Sequence, residues 1–247
     1  MTGRIRLDQA IEARGLLPSR ARARDAVLRG TVTVNGVPAS KPHQMVSDAD
    51  TIALDDPAAK YVSRAALKLI AGLDAAGIAV AGRTCLDLGA STGGFTQVLL
   101  ARGAARVYAV DVGHDQLHEA VSSDPRVIAM EGQNARELTQ DLIPEPIDLL
   151  VCDVSFVSVL KILEAPLALC GPGADAVILI KPQFEVGRDN IGKGGIVTDE
   201  AAIGRAVAEV VGFMAERGWR LKTSLPSPIA GGDGNRETVA VFEKGPG

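Results

Sequence analysis

The sequence predicts an α/β protein in which a small α+β module precedes a doubly wound, parallel sheet. Strand-like and helix-like segments alternate over most of the 247 residues, and this alternation is typical of a parallel sheet with helices on both faces. The composition also changes near residue 60, because all the aromatic residues follow it. We therefore expect the module at residues 1–55, a polar linker at 56–61 and the larger domain at 62–247.

The charge is divided unevenly between these parts. The net charge is −4, but residues 1–30 hold seven arginines against three acidic residues and carry +4, which leaves −8 for the remainder. The acidic total argues against a protein that coats nucleic acid with its whole surface, whereas a local basic patch is compatible with it. Any nucleic-acid docking is therefore expected to depend on the first thirty residues.

The composition excludes several classes of protein. Apolar residues make up 47% and charged residues 23% of the chain, which is close to the globular average and argues against disorder. The longest apolar runs are too short to cross a bilayer, and residues 1–12 lack the apolar stretch of a signal peptide. The three cysteines lie far apart, with no close Cys/His pair. We expect a cytoplasmic protein with reduced thiols, no membrane partner and no metal.

The module at residues 1–55 combines two short helices with a hairpin. Apolar positions within 7–13 form one helical face, and Ser19 is a suitable N-cap for a second helix whose arginines would face outward. Asn35-Gly36 follows the strand-like residues 31–34 and is a strong hairpin signal. Further short strands are expected at 46 and 51–54.

These features resemble the S-four-type RNA-binding domain. The shared positions are Arg6-Leu7-Asp8, Gly15, Ser19-Arg20, the arginine helix, 30–36 and 42–50. The resemblance implies binding of structured RNA by phosphate and shape, and guanidinium groups suit phosphate oxygens. A merely solvated helix face is the alternative. The candidate RNA-binding residues are Arg4, Arg6, Arg20, Arg22, Arg24 and Lys41, with Arg64, Arg188 and Lys193 in the larger domain.

In the larger domain, strands and helices are expected in a regular order. The expected strands are 84–88, 107–110, 127–130, 149–152 and 176–180, the helices are 62–75, 95–102 and 200–217, and strand-like stretches near 219–225 and 238–242 end the chain. Ligands of such sheets lie beyond the carboxyl ends of the strands. The candidate site therefore includes the loop 89–94, Asp111, Asp153 and Lys181.

Three interpretations of the glycine-rich loop compete. Its glycines lack the G-x-G-x-x-G spacing of a dinucleotide-binding loop. Residues 89–93 match the G-x-S-x-G elbow of hydrolases, but that mechanism needs a late histidine and none follows His118. The third interpretation is a site for S-adenosylmethionine, whose amino-acid tail needs only close approach of the backbone.

Side chains at the strand ends fit S-adenosylmethionine. Asp111 would accept hydrogen bonds from the ribose hydroxyls, Asn134 would pair with the adenine edge, and Asp87 would orient loop amides or the ammonium group of the ligand. Structural hydrogen bonding is an equal alternative for Asp87. The cofactor-binding candidates are Asp87, Gly89, Ala90, Ser91, Gly93, Gly94, Phe95, Asp111, Asn134 and Asp153.

Five segments together resemble the FtsJ-type ribose 2′-O-methyltransferases, and with the preceding module the likeness is greatest to the TlyA family. The segments are 63–69, 86–96, 152–156, 180–185 and 234–238. The resemblance implies a Rossmann-like methyltransferase domain, S-adenosyl-L-methionine as cofactor, and cytidine in 16S and 23S rRNA of ribosomal subunits as substrate. The family's Lys-Asp-Lys-Glu tetrad around the target hydroxyl matches Lys68, Asp153, Lys181 and Glu237. Asn134 departs from the aspartate common in related enzymes.

The residue types of this tetrad suit methyl transfer to a hydroxyl group. A ribose hydroxyl is a weak nucleophile, so its attack needs proton removal and close alignment. A lysine accepts a proton only where part of it is neutral, which burial and a second ammonium group favour. We assign Lys181 as the residue that receives or steers the proton. The other three residues would orient Lys181 and tune the electrostatics around it. Surface ion pairs are the alternative, but Lys181 follows five apolar strand residues and precedes Pro182.

Two other functions stay open at this stage. A pore-forming haemolysin, which an older name of the family implies, would need a long apolar helix or a run of transmembrane strands, and neither pattern is present. A non-catalytic RNA-binding assembly factor would not need the tetrad. The glycine-rich segment 185–198 is expected either as a basic loop that closes over RNA or as a flexible connector.

Overall fold

The computed structural model describes residues 3–246 and divides into two compact units. The smaller unit ends at Lys60 and the larger one begins at Tyr61. Each unit buries its own apolar side chains, as one cluster in the smaller unit and two in the larger.

The smaller unit contains two packed helices and short antiparallel strands. Ser19 accepts a hydrogen bond from the backbone of Arg22 and caps the second helix, as expected. Asn35 and Gly36 have φ angles of 51° and 78°, as a two-residue hairpin turn requires. Its elements are β1 (Ile5–Arg6), α1 (Leu7–Ala13), α2 (Arg20–Leu28), β2 (Val32–Val34), β3 (Val37–Pro38), β4 (Met45–Val46) and β5 (Ile52–Leu54).

The larger unit is built on a seven-stranded mixed sheet. Its strands are β6 (Thr84–Leu88), β7 (Arg106–Asp111), β8 (Val127–Glu131), β9 (Ile147–Cys152), β10 (Cys170–Ile180), β11 (Trp219–Pro226) and β12 (Thr238–Lys244). The order is β11-β12-β10-β9-β6-β7-β8. Strands β6 to β10 are parallel, which confirms the Rossmann-like α/β prediction.

The last two strands differ from the parallel arrangement expected. β12 runs antiparallel to β10, and β11 runs antiparallel to β12. Only a loop joins β11 to β12, and a parallel pair would need a crossover of a dozen or more residues. The start of β12 therefore lies beside the end of β10, where Thr238 pairs with Ile180.

Helices cover both faces of the sheet, because alternate strand residues point to opposite sides. Leu69 and Leu99 belong to one apolar cluster, and Val210 and Met214 belong to the other. The helices are α3 (Ala66–Ala76), α4 (Gly94–Ala101), α5 (Glu119–Ser122), α6 (Glu164–Ala168), α7 (Pro182–Glu185) and α8 (Glu200–Glu216).

Helix α3 begins four residues later than expected from the sequence. The preceding residues form turns instead of helix because their polar groups have other partners. The backbone of Val62 donates to the side chain of Gln97, and the hydroxyl of Ser63 accepts from the backbone of Ala65. This segment therefore packs against the start of α4.

The three cysteines are buried and free. Burial raises the pKa of the thiols of Cys85, Cys152 and Cys170 to about 12. Thiols in this state are poor nucleophiles, so their role is in packing.

Candidate active site

The sheet topology brings the candidate residues to one edge. The glycine-rich loop follows β6, Asp153 follows β9 and Lys181 follows β10, and these strands are neighbours in the sheet. Glu237 precedes the antiparallel strand β12, so it lies at the same edge. Lys68 reaches this edge from the first turn of α3.

Four charged side chains meet there and form what we call the ion cluster: Lys68, Asp153, Lys181 and Glu237. Lys68 Nζ lies 2.6 Å from Glu237 Oε2 and 3.8 Å from Asp153 Oδ2, and Lys181 Nζ lies 2.7 Å from Asp153 Oδ1. Asp153 is therefore shared by the two ammonium groups. The four side chains are only 2% to 12% exposed, so water screens their charges weakly.

Lys181 has further partners in the loop after β9. Its Nζ donates to Ser155 Oγ at 2.8 Å and to the carbonyl oxygen of Asp153 at 3.4 Å. Asp153 Oδ1 lies at ion-pair distance from this ammonium group but accepts no well-aligned hydrogen bond from the part of the chain that the structure describes. One acceptor atom of the cluster therefore keeps the capacity for another donor. Ser155 is not among the site residues predicted from the sequence.

The glycine-rich loop lines a cavity of about 180 Å³ beside the ion cluster. Gly89 has a φ of +79°, and a Cβ atom there would lie 3.0 Å from the carbonyl oxygen of Asp153. Only glycine allows this approach without strain. Gly94 is equally confined, since a Cβ atom there would lie 2.7 Å from Cβ of Ser63. The predicted cofactor-binding residues that line the cavity are Gly89, Ala90, Ser91, Gly94, Phe95 and Asp153, and the predicted catalytic residue Lys181 lines it too.

Asp87 lies fully buried close to this loop. Its Oδ2 accepts a hydrogen bond of 2.6 Å from Thr96, whereas its Oδ1 has no hydrogen-bond partner among the described residues. Burial is the main cause that raises the pKa of Asp87 to about 7, and the nearby charge of Asp153 adds to it. A buried carboxylate oxygen without a donor is costly.

The other predicted cofactor residues are engaged with the backbone. Asp111 accepts hydrogen bonds of 2.8 Å from the backbone of Ser91 and from that of Gly113, so it ties the glycine-rich loop to the end of β7. Asn134 caps the short 3₁₀ helix at Ala135–Glu137. Gly93, in the left-handed conformation, is the N-cap that precedes α4. Neither these three residues nor the buried Asp87 lines the cavity.

Two sets of hydrogen bonds hold the segment 185–198. Glu185 accepts hydrogen bonds from the hydroxyl of Ser158 at 2.6 Å and from the backbone of Val159 at 3.0 Å, which joins α7 to the loop after β9. Asn235, with no exposed surface, donates to the carbonyl of Gly195 and accepts from the backbone of Val197. Between these links, Arg188 and Lys193 are exposed on short 3₁₀ turns.

The basic residues of the smaller unit have different environments. Arg4, Arg24 and Lys41 are exposed, and Arg6 and Arg20 both bind Asp8. Arg22 does not face outward as expected, because it is half-buried and donates to the carbonyl of Ala58 at 2.7 Å. In the larger unit, Arg64 donates to the carbonyl of Ala230.

Phe156 is the most exposed large apolar side chain of the described structure and is not among the predicted site residues. It is 92% exposed and has a φ of +67°. Its ring centroid lies 5.6 Å from that of Phe184. An aromatic residue in the left-handed region is strained, and such strain often marks a functional position. Its place three residues after Asp153 is the one sequence signal that points to it.

The fold and this site define a methyltransferase of the Rossmann-like class. A solved S-adenosylmethionine-dependent methyltransferase from Mesorhizobium loti shares the fold, with a TM-score of 0.52 over 70% of this chain and 96% of that chain at 15% identity. The FtsJ-like methyltransferase model matches residues 61–244, and the S4 domain model matches residues 5–52. The chain belongs to the FtsJ-like methyltransferase family and, within it, to the TlyA proteins.

The relatives cover nearly the whole chain. It is 45% identical to the 16S/23S rRNA (cytidine-2′-O)-methyltransferase TlyA of Mycobacterium tuberculosis, over 96% of this chain and 89% of the relative. It is 38% identical to Hemolysin A of Brachyspira hyodysenteriae, over 96% of this chain and 99% of the relative. A solved structure described as a hemolysin from Streptococcus thermophilus gives a TM-score of 0.76 at 37% identity, over 99% of this chain and 90% of that chain.

Membrane-spanning helices and metal-binding clusters were not found in the described part of the chain. Among residues 3–246, no helix has both the length and the apolar character needed to cross a membrane. Within the same residues, no cluster of three or more histidine, cysteine or acidic side chains has the arrangement of a metal site.

Proposed function

We propose that this methyltransferase transfers the methyl group of S-adenosylmethionine to the ribose 2′-hydroxyl of cytidine in rRNA of ribosomal subunits. The observation that carries the proposal is the buried ion cluster beside the glycine-lined cavity. The relatives named for this reaction on 16S and 23S rRNA support the substrate. The proposal implies a cytoplasmic location, where ribosomal subunits are assembled.

The residues around the cavity fit S-adenosylmethionine. Asp87 Oδ1 is a buried acceptor without a donor among residues 3–246, and the ammonium group of the ligand would supply one. Gly89 and Gly94 leave backbone where any side chain would collide. Asp111, next to Ser91, would accept from the ribose hydroxyls. The other predicted cofactor residues retain their proposed roles. The side-chain oxygen of Asn134 already accepts the capping hydrogen bond from the backbone of Arg136, so it would need to accept a second one from adenine.

The ion cluster would act on the ribose hydroxyl. Bound S-adenosylmethionine supplies an electrophilic methyl group. Lys181, held between Asp153 and Ser155, would receive or steer the hydroxyl proton as the oxygen becomes nucleophilic. Lys68, itself held by Glu237, would hold Asp153 from its other side, so that the cluster keeps one geometry while the hydroxyl is aligned.

The nine basic residues predicted to bind RNA keep that role in the proposal, with one refinement. Arg22 and Arg64 already donate to carbonyl groups of the fold. We therefore assign the larger share of phosphate contacts to the exposed positions, which include Arg4, Arg24 and Arg188. Contacts to phosphate oxygens position an RNA without reading its sequence.

Phe156 is proposed to stack on the base of the target nucleotide. Its ring is exposed, and it follows Ser155, which contacts Lys181. Single-stranded or extruded bases are commonly held by stacking on aromatic side chains. An exposed aromatic face at the rim of the ion cluster offers such a contact.

Replacing Phe156 by alanine should raise KM for RNA about tenfold, because stacking of one base contributes roughly 1–3 kcal/mol. The affinity for S-adenosylmethionine should not change. Steady-state kinetics with a range of RNA concentrations measures the first quantity, and calorimetry measures the second. The Phe156→Tyr variant keeps the ring and is the matched control. A KM unchanged in Phe156→Ala would exclude the stacking role.

Replacing Asp87 by asparagine should stabilise the ligand-free protein at pH 8 and weaken cofactor binding. The folded-state pKa of about 7 lies above the ordinary value of 3.8. As pH rises from about 4 to 7, the carboxyl is ionised in the unfolded chain but still protonated in the fold, so the folded state loses stability over this range, and the loss is complete above pH 7.

The neutral amide avoids that loss and can still accept from Thr96. We expect Tm at pH 8 to rise by about 2–4 °C for each kcal/mol recovered, with little difference at pH 4. Thermal denaturation at both pH values measures this, and calorimetry should show at least about tenfold weaker binding of S-adenosylmethionine. A lower Tm of the variant at pH 8 would contradict this account of Asp87.

The proposed reaction is tested with purified protein, methyl-labelled S-adenosylmethionine and ribosomal subunits from cells that lack the gene. Nuclease digestion and mass spectrometry should identify 2′-O-methylcytidine as the product. A methylated base instead of a methylated ribose would contradict the proposal. Tight RNA binding without any methyl transfer would favour a non-catalytic assembly factor.

A further inference from the structure

An acidic side chain lies buried between two arginines in the smaller unit. Asp8, in the first turn of α1, is 1% exposed. Its Oδ1 accepts from Nε of Arg6 at 3.0 Å, and its Oδ2 accepts from Nη2 of Arg6 at 2.9 Å and from Nε of Arg20 at 3.1 Å. One carboxylate therefore orients two guanidinium groups that are well separated in the sequence.

The same two arginines keep donors that no described residue uses. No hydrogen bond or ion pair within residues 3–246 uses Nη1 of Arg6 or either terminal nitrogen of Arg20. Their side chains are 40% and 48% exposed. The backbone of Arg20 is also fixed, because its N–H donates to Glu12 at 3.0 Å. Two oriented, solvent-accessible guanidinium groups result.

Other arginines of this unit are used within the fold. Arg14 donates to the carbonyl groups of Asp50 and Ser47, and Arg29 binds both Asp25 and Asp56. Their terminal nitrogens are occupied by these partners. The pair at Asp8 differs because the carboxylate binds the Nε atom of each arginine and one terminal nitrogen of Arg6, and the remaining terminal nitrogens stay available.

We propose that Asp8 is a positioning residue that holds Arg6 and Arg20 as a paired binding site for RNA phosphate groups. The inference rests on the proposed function, since it assumes that the smaller unit binds RNA. The inference predicts a change in RNA affinity opposite to the one that net charge alone predicts. Removing the acid adds one positive charge to a basic unit, which should strengthen attraction to RNA, yet the inference requires weaker binding.

The reason is the cost of ordering the arginines. Without Asp8 the two guanidinium groups repel each other and sample many rotamers, and binding must then fix them. Each rotamer-rich side chain that is immobilised on binding lowers affinity by roughly 2- to 12-fold. With Asp8 in place, the arginine side chains lose this conformational entropy when the protein folds. The phosphate then binds donors that are already oriented.

The test compares Asp8→Asn with Asp48→Asn in the full chain, with purified ribosomal subunits as the probe. The control variant makes the same chemical change at Asp48, an exposed residue of the same unit. We expect Kd to rise about tenfold for Asp8→Asn and to stay equal or fall for Asp48→Asn. The value of kcat at saturating RNA should not change. Equal or tighter binding by Asp8→Asn would overturn the inference.

Repeating the Asp8→Asn change in a variant that lacks both arginines distinguishes a positioning role of Asp8 from a general role in folding. In a chain that already carries Arg6→Gln and Arg20→Gln, the Asp8→Asn change should have almost no further effect on Kd, because its effect passes through those arginines. A similar fall in affinity in both backgrounds would show a general structural role and overturn the inference. If the unchanged protein fails to bind the subunits, the proposed function itself is wrong.

Discussion

Replacement of Lys181 by alanine should reduce kcat by about 10³-fold, with little change in the affinity for S-adenosylmethionine. A positioned proton acceptor contributes about 10²- to 10⁴-fold to a reaction of this kind. Lys181 is the cluster residue that contacts both Asp153 and Ser155, and it also lines the cavity. Single-turnover methylation of ribosomal subunits measures the rate, and calorimetry measures cofactor affinity.

The matched control is Lys181→Arg. It keeps the positive charge next to Asp153 but cannot be deprotonated at ordinary pH. We expect it to fold normally and to stay at least about 10²-fold slower than the unchanged protein. Near-normal kcat in the arginine variant would show that charge alone is needed. Near-normal kcat in the alanine variant would remove Lys181 from the mechanism.

Replacement of Lys68 by methionine should destabilise the larger unit by about 3–5 kcal/mol, because it leaves a buried carboxylate without its partner. Glu237 is 2% exposed at its side chain, and Lys68 Nζ is 2.6 Å from its Oε2. Urea denaturation followed by circular dichroism measures the free energy of unfolding.

The double variant Lys68→Met with Glu237→Gln separates stability from catalysis. It removes both charges, so most of the lost stability should return, whereas methyl transfer should stay impaired because Asp153 loses the support of Lys68. A loss below about 1 kcal/mol in the single variant would indicate a solvent-screened surface pair. A double variant less stable than either single variant would also contradict this interpretation.

Much of the fold followed from local sequence patterns. Ser19 and Asn35-Gly36 act within a few residues of themselves, so their cap and turn were predictable and are confirmed. The parallel strands β6 to β10 were predicted from alternating apolar segments. The antiparallel strands at the end were not, because their direction depends on the short loop between β11 and β12 and on pairing across the sheet.

The sequence could predict those parts of the site in which the strand order alone brings residues together. Asp153 and Lys181 follow neighbouring strands, so their meeting was expected from the fold. The open acceptor of Asp87 and the exposure of the Phe156 ring depend on packing, and the sequence shows only that Phe156 lies three residues after Asp153. The contact of Asp8 with Arg6 and Arg20 also depends on packing. The roles of the site residues and the domain limits stay predictions.

The central claim is that the ion cluster serves methylation of ribose in rRNA. Its most direct test is a map of ribose methylation across 16S and 23S rRNA from cells with the gene, cells without it, and cells without it that express the Lys181→Ala variant. We predict at least one 2′-O-methylcytidine that is present only in the first. Identical maps from all three would contradict the claim.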